Sequence, residues 1–362
     1  MKKTALLLLA LLSVNTQADE LKAPVGVRPC CAFGVDLKAQ LGKVPVPFFS
    51  LENVVNRDEV GTHHYNDGST SVSGSLLGLA DETNGLVFTQ LGGFIDTAHV
   101  RDTADYTYYL FKLNQRYLGT NHQIDLPAEL RLRRLSWHQQ SKLLTAEQKV
   151  RYSAEAAALT AFRLAQWHEI AQWFGMVSVG GFDELASAFS SEDLYSNMLG
   201  AKLAKQILVN QPDLTAKQFG VAMDKAVSQT LIELKAVSKS ISKEIIEQLD
   251  GVWWDSSKRL PNKWAVIYRD YHLGLELTPH YPGSTHPLSL TNKFVDNQSI
   301  EEWLTLSLVA ADEEEAFTAL PQQYRENPHW GSQDFQPLAD FSKRMDSQAM
   351  RELRIKPNPI ND

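Results

Sequence analysis

The sequence predicts a mainly helical α+β fold, and three observations carry that expectation. Long stretches such as Thr145 to Gly175 are apolar at helical spacing, short β-rich runs bounded by Gly and Pro lie elsewhere, and no βαβ alternation recurs. The expected architecture is a helix-bundle core with short strands in the N-terminal region and around residues 264–277. With 362 residues, 43% of them hydrophobic, the chain can bury a sizeable core. No internal repeat and no linker composition divides it, so residues 19–362 read as one domain with a loop-rich C-terminal tail.

In chain order, Met1 to Ala18 comes first. Lys2 and Lys3 precede a short apolar run from Ala5 to Val14, and small residues end at Ala18. This is the pattern of a cleavable signal peptide; the run is shorter than the ~20 apolar residues of a membrane span. A periplasmic or secreted protein without a stable membrane span is the expectation. Residues 19 to about 90 are proline-punctuated, with a short strand expected around Gly85 to Gln90. A helix is expected from Phe94 to about Arg116. Asp125 to Trp137 alternates in part and reads as a strand or a charged helix start. Thr145 and Gln148 are spaced as a capping box for a long helix that stops at Gly175. Gly180 and Gly181 interrupt the chain. Ser190 and Asp193 form a second such box, opening a helix towards Leu208. A third long helix is expected from Thr215 to Leu249. Trp264 to Leu277 reads as one or two strands, Ile300 to Ala310 as an amphipathic helix, and the chain from Pro321 onward as loop.

Charge narrows the function classes. The formal net charge is -8, with 35 Lys and Arg against 43 Asp and Glu, which argues against a nucleic-acid partner because phosphate neutralisation needs basic patches. No P-loop, Rossmann glycine fingerprint or G-x-S-x-G elbow is present. The chemistry therefore has to come from ionisable groups on faces that ought to be apolar.

Two segments place them so. In Gly92 to Leu110, His99, Asp102, Tyr106 and Leu110 share one helical face, with Asp96 one turn before His99; Asp105 projects elsewhere, towards solvent. In Phe162 to Gly175, His168, Glu169 and Gln172 continue a thin stripe of Ala158, Ala161 and Ala165 on a helix that is apolar on most sides. A buried carboxylate there needs a partner. A divalent ion, zinc by its ligand chemistry, would supply it: His99, His168 and Asp96 as ligands, with Glu169 and Asp102 as the acid–base carboxylates. His168-Glu169 followed by Gln172 resembles the HExxH helix of zinc proteases, but Gln172 stands where the second ligand His belongs. Two alternatives accompany this reading. Cys31, adjacent to Cys30, would be the nucleophile of a cysteine hydrolase or acyl-transfer enzyme, with one of these histidines as base. Otherwise the polar clusters are structural, and the chain is a non-enzymatic envelope binding or scaffold protein. Glu192, Asp193, Ser196 and Asn197 are explained by capping and close helix packing, His63 and His64 by an exposed loop, and His280 and His286 by an ordinary turn. Substrate and oligomeric state are not legible.

The strings PCCAFG (29–34), GGFIDTAHVRDTAD (92–105), WHEIAQWFG (167–175) and FSSEDLYSN (189–197) together resemble an uncharacterised family of exported bacterial proteins, catalogued as domain of unknown function 4056. The resemblance runs from Pro24 into the C-terminal third. It implies export and a single domain, and assigns no catalytic residue.

Overall fold

A computed structural model describes residues 21–26, 28, 32–41, 43–46, 53–68, 82–177, 184–311 and 314–355. The signal-peptide segment Met1 to Ala18, the Cys30–Cys31 pair and Gly180–Gly181 lie outside the described residues.

Three helices make the centre. β3 (Leu86–Thr89) and β4 (Gly93–Asp96) form an antiparallel hairpin that runs without a break into α1 (Thr97–Tyr117). Gly93 takes a φ of +65°, a left-handed conformation that glycine adopts without a side-chain clash. Asp96 is the last strand residue and also the N-cap of α1. Its side chain accepts from the amides of Ala98 at 2.7 Å and His99 at 3.4 Å. α2 (Ala146–Trp173) begins at the Thr145/Gln148 capping box and ends before Gly175, as the sequence predicts. α3 (Asp193–Asn210) packs against both. Buried alanines of α2 (Ala154, Ala157, Ala158, Ala161) thin that helix, and Gly200 thins α3. A Cβ on Gly200 would overlap the carbonyl oxygen of Val100, the residue after His99. Two hydrogen bonds set the register of the same crossing: Asp96 N to Ser196 Oγ at 2.9 Å, and Thr103 Oγ1 to Asn197 Oδ1 at 2.6 Å.

A four-stranded antiparallel sheet in the order β10-β9-β6-β5 is built from β5 (His122–Glu129), β6 (Arg131–Trp137), β9 (Leu304–Val309) and β10 (His329–Trp330). Trp137 Nε1 donates to Asn114 of α1 at 2.8 Å, and Trp167 Nε1 of α2 donates to the Glu129 carbonyl at 3.0 Å. These bonds fasten the sheet to the helices. Among the described residues there are also two pairs of two-residue strands, β1 (Gln40–Leu41) with β2 (Val44–Pro45) and β7 (Glu276–Leu277) with β8 (Leu288–Ser289), and the helices α4 (Ala216–Glu233), α5 (Lys239–Gln248) and α6 (Gln322–Arg325).

Several expectations are corrected. The helix expected from Phe94 begins only at Thr97, because Phe94 to Asp96 pair with β3. The single helix expected over 215–249 is two, α4 and α5. It breaks because the main chain at 234–236 bonds to the β3–β4 turn: Leu91 N to Leu234 O, Gln90 N to Lys235 O, and a bridge from Thr89 to Ala236. Lys235 there has a φ of +59°. Trp264 to Leu277 contains only β7 as strand; the rest runs through isolated bridges and turns, with Tyr268 and Tyr271 half-buried against the core. Ile300 to Ala310 is not a helix. Leu304 to Val309 pairs with β6, so that Leu306 faces Leu135, and two-residue alternation wins once a partner strand is present. The tail expected to be loop carries α7 (Ser332–Glu352), held by Asp346, which accepts from Trp173 Nε1 at 3.0 Å and Tyr271 Oη at 2.6 Å. No helix among the described residues is long and apolar enough to cross a membrane.

An ionic node joins the N-terminal segment to α1. Arg28, 4% exposed, bonds Glu82, Asp102 at 2.7 Å and Asp105 at 2.9 Å. Asp105 also meets His63 Nε2 at 2.8 Å. Asp105, expected in solvent, is fully buried, because Arg28 and His63 supply the charge and the hydrogen bonds it needs there. Burial alone would raise the Glu82 carboxyl, but Arg28 and Arg101 hold it down to about 2.

Two outcomes follow from this packing. Gly200→Ala should lower stability by ~1–3 kcal/mol in urea unfolding, since the added methyl separates α1 from α3. The depressed Glu82 carboxyl contributes stability that is complete above its ordinary value of 4.5 and is lost as pH falls towards about 2. Glu82→Gln should therefore be less stable at pH 7 and show a flatter stability profile between pH 4.5 and 2, measured by denaturant titration at each pH.

Candidate metal centre

Where β4 ends and α3 begins, three side chains converge. Among the described residues, Asp96, His99 and Asp193 are the group whose potential ligand atoms all lie within 4.8 Å of one another. His99 Nε2 stands 3.2 Å from Asp193 Oδ1, and the imidazole is only 12% exposed. Two ligands on a tetrahedral ion with bonds of ~2.0 Å are separated by roughly 3.3 Å, so this spacing suits a shared cation. The arrangement follows from the local fold. The hairpin delivers Asp96 to the start of α1, one turn of α1 carries His99 to the same side, and the Gly200 crossing brings in the first turn of α3.

Asp193 corrects the capping expectation. The N-cap of α3 is Glu192, with no side-chain cap bond, and the Asp193 carboxylate turns to His99 instead. Its other oxygen, Oδ2, is buried without a partner. Glu169 is fully buried as well; Oε2 accepts from Phe189 N at 2.7 Å, while Oε1 has no partner. Glu192 accepts from Ser190 Oγ at 2.8 Å and Ser191 Oγ at 3.1 Å, and lines a small cleft with Phe94, Trp253, His280 and Tyr281.

The electrostatics report an excess of negative charge. Burial and the neighbouring Asp193 push Glu169 up to about 8, against the pull of His99 and His168. Burial, then Asp193, hold Glu192 well above the usual carboxyl range. Burial alone would lower the His99 imidazole, yet Asp193, with Asp96 and Glu169, holds it well above its ordinary value. Carboxyls that raise one another in a buried site leave a cation among them electrostatically favoured. This buried Asp–His–Asp group is able to hold a metal ion.

The other sequence candidates fall elsewhere. His168 is not in the ligand group. Its Nδ1 lies 3.4 Å from Glu129 Oε1, and its Nε2 lies 3.0 Å from Gln172 Nε2 and 3.9 Å from Glu184 Oε2. Both ring nitrogens are thus engaged away from His99. Asp102 sits on the Arg28 node, its two oxygens taken by the Arg28 side chain and main-chain N–H. Cys31 is outside the described residues. His63, expected in an exposed loop, is buried against Asp105, while His280 pairs with Asp270 at 2.8 Å. Asp193, the third member of the group, is the residue the sequence assigned to capping, and an acidic residue in a first helical turn carries no further signal by itself.

A family model described as a protein of unknown function (DUF4056) matches residues 18–282. No curated protein and no solved structure matches the chain.

His168 has a measurable signature. Burial would lower it, but Glu129 above all, with Glu169 and Glu184, raises it to about 9. A raised imidazole contributes stability that is complete below its ordinary value of 6.5 and is lost as pH rises through about 9. His168→Gln should cost on the order of 1–3 kcal/mol at pH 6, and the gap to the wild type should close by pH 10, read from urea midpoints.

Proposed function

The chain belongs to the DUF4056 family, whose description carries no activity, and from the geometry of its buried centre we propose an exported metal-dependent hydrolase acting on an envelope-associated substrate. The ion is zinc, held by Asp96, His99 and Asp193. The observation that carries this reading is the pairing of three convergent ligand atoms with two buried carboxylate oxygens, Asp193 Oδ2 and Glu169 Oε1, that have no protein partner. An unpartnered buried carboxylate oxygen is costly, and a bound cation removes the cost. The residue pattern of Met1 to Ala18 supports export.

Three protein ligands leave a coordination position open, and an ion there would acidify its water to ~7. Glu169 is suited to take a proton from that water. Its Oε2 is fixed by the Phe189 amide, and its Oε1 is unpartnered. An ion held by these three residues would supply the activated water; as its oxygen bonded to the electrophilic atom of the substrate and the scissile bond broke, Glu169 would pass the proton it had taken to the leaving group.

Elemental analysis of untagged protein, purified without chelators, should find about one zinc per chain. His99→Ala and Asp193→Asn should lose it, whereas Glu169→Gln should keep it and lose hydrolytic activity. A native protein that is metal-free and takes up no added zinc would overturn the reading. The non-enzymatic envelope protein would then stand, with Asp96, His99 and Asp193 as a structural network.

A further inference from the structure

Arg269 is buried, 8% exposed, and its two terminal guanidinium nitrogens donate to main-chain carbonyls. Nη1 donates to Ala188 O; Nη2 donates to Leu185 O at 3.1 Å, Ala186 O at 3.2 Å and Lys263 O at 2.7 Å. Three of these four acceptors belong to the turn that precedes α3. The same stretch is stitched again by Asp270 N to Phe189 O at 2.8 Å and by an antiparallel bridge between Ser190 and Arg269. Within this turn Phe189 has a φ of +58°, a conformation that costs a bulky residue ~1–3 kcal/mol and persists only where its surroundings impose it. In that conformation its N–H meets Glu169 Oε2 at 2.7 Å.

We propose that Arg269 is the positioning residue of the centre: by gathering the carbonyls of 185, 186 and 188 it imposes the Phe189 conformation, and the Phe189 amide in turn sets the Glu169 carboxylate. This rests on the preceding reading only in so far as Glu169 serves a bound metal. Arginine suits the task because its planar fork offers five donors in fixed directions, whereas a lysine offers one point charge on a flexible stem. Three residues after Phe189 the same chain passes Glu192 and becomes the first turn of α3, so the latch also fixes the approach of the chain to Asp193.

The test uses full-length protein and Co²⁺ as the spectroscopic probe, with wild type, R269K, R269M, E169Q and the R269M/E169Q double variant. In metal-free protein, R269M should raise amide hydrogen exchange in peptides spanning 184–192 by about tenfold or more while α1 stays protected, with R269K intermediate. In cobalt-loaded protein, R269M should alter the visible spectrum as E169Q does, and the double variant should match E169Q. Unchanged exchange over 184–192, or an increase spread evenly over α1, α2 and α3, overturns the proposal. So does a spectral change from R269M that persists in full on the E169Q background. A wild type that binds no cobalt defeats the metal reading instead, and the exchange result alone then decides the role of Arg269.

Discussion

Charge inside a tightly packed helical core is the constraint from which the rest of this structure follows. α1, α2 and α3 approach one another through alanines and Gly200, leaving little room for water, and yet they carry Asp96, His99, Asp102, Asp105, Glu169 and Asp193 inward. Ions in such surroundings are stable only when paired or hydrogen-bonded, so each carboxylate dictates what must be placed opposite it.

The molecule meets that demand in two different ways. On one side of α1, Arg28 and His63 arrive from the N-terminal segment, Arg101 stands beside Glu82, and the carboxylates of Glu82, Asp102 and Asp105 are all engaged. That node pairs each of these carboxylates within the chain and fastens the segments that carry Arg28 and His63 to the helical core. At the start of α1 the balance is different. Asp96, Glu169 and Asp193 face the His99 imidazole, Asp193 Oδ2 and Glu169 Oε1 have no partner, and burial with the neighbouring Asp193 raises the Glu169 and Glu192 carboxyls. One group of carboxylates is paired within the chain, and the other, at the start of the same helix α1, keeps two oxygens without a partner.

Much of the site was visible in the residues. Asp96 and His99 are three apart, so helical spacing alone puts them together, and the inward aim of Glu169 follows from the apolar faces around it. His168 was harder to judge. Its neighbour Glu169 faces the centre, but 100° of helical rotation turns the imidazole towards Glu129 of β5, and no periodicity reveals which strand lies there. Asp193 was hidden for the opposite reason: an acidic residue in a first helical turn already has a sufficient local explanation, so nothing in the chain signals a second one. Asp102 has the same ambiguity, since its face points inward but its partner, Arg28, lies 74 residues away in sequence.

By itself the sequence determined what depends on neighbours a few residues apart: the mainly helical class, the long helix between Thr145 and Gly175, the strand near Gly85 to Gln90, and the Asp96–His99 pair. Tertiary structure decided whatever depends on a distant partner. Leu304 to Val309 became a strand because β6 offered it hydrogen bonds, the helix after Thr215 broke because the β3–β4 turn claimed residues 234–236, and Asp193 rather than His168 joined His99. Periodicity and capping are properties of a single segment, while a free backbone edge or an uncompensated charge exists only once two segments meet.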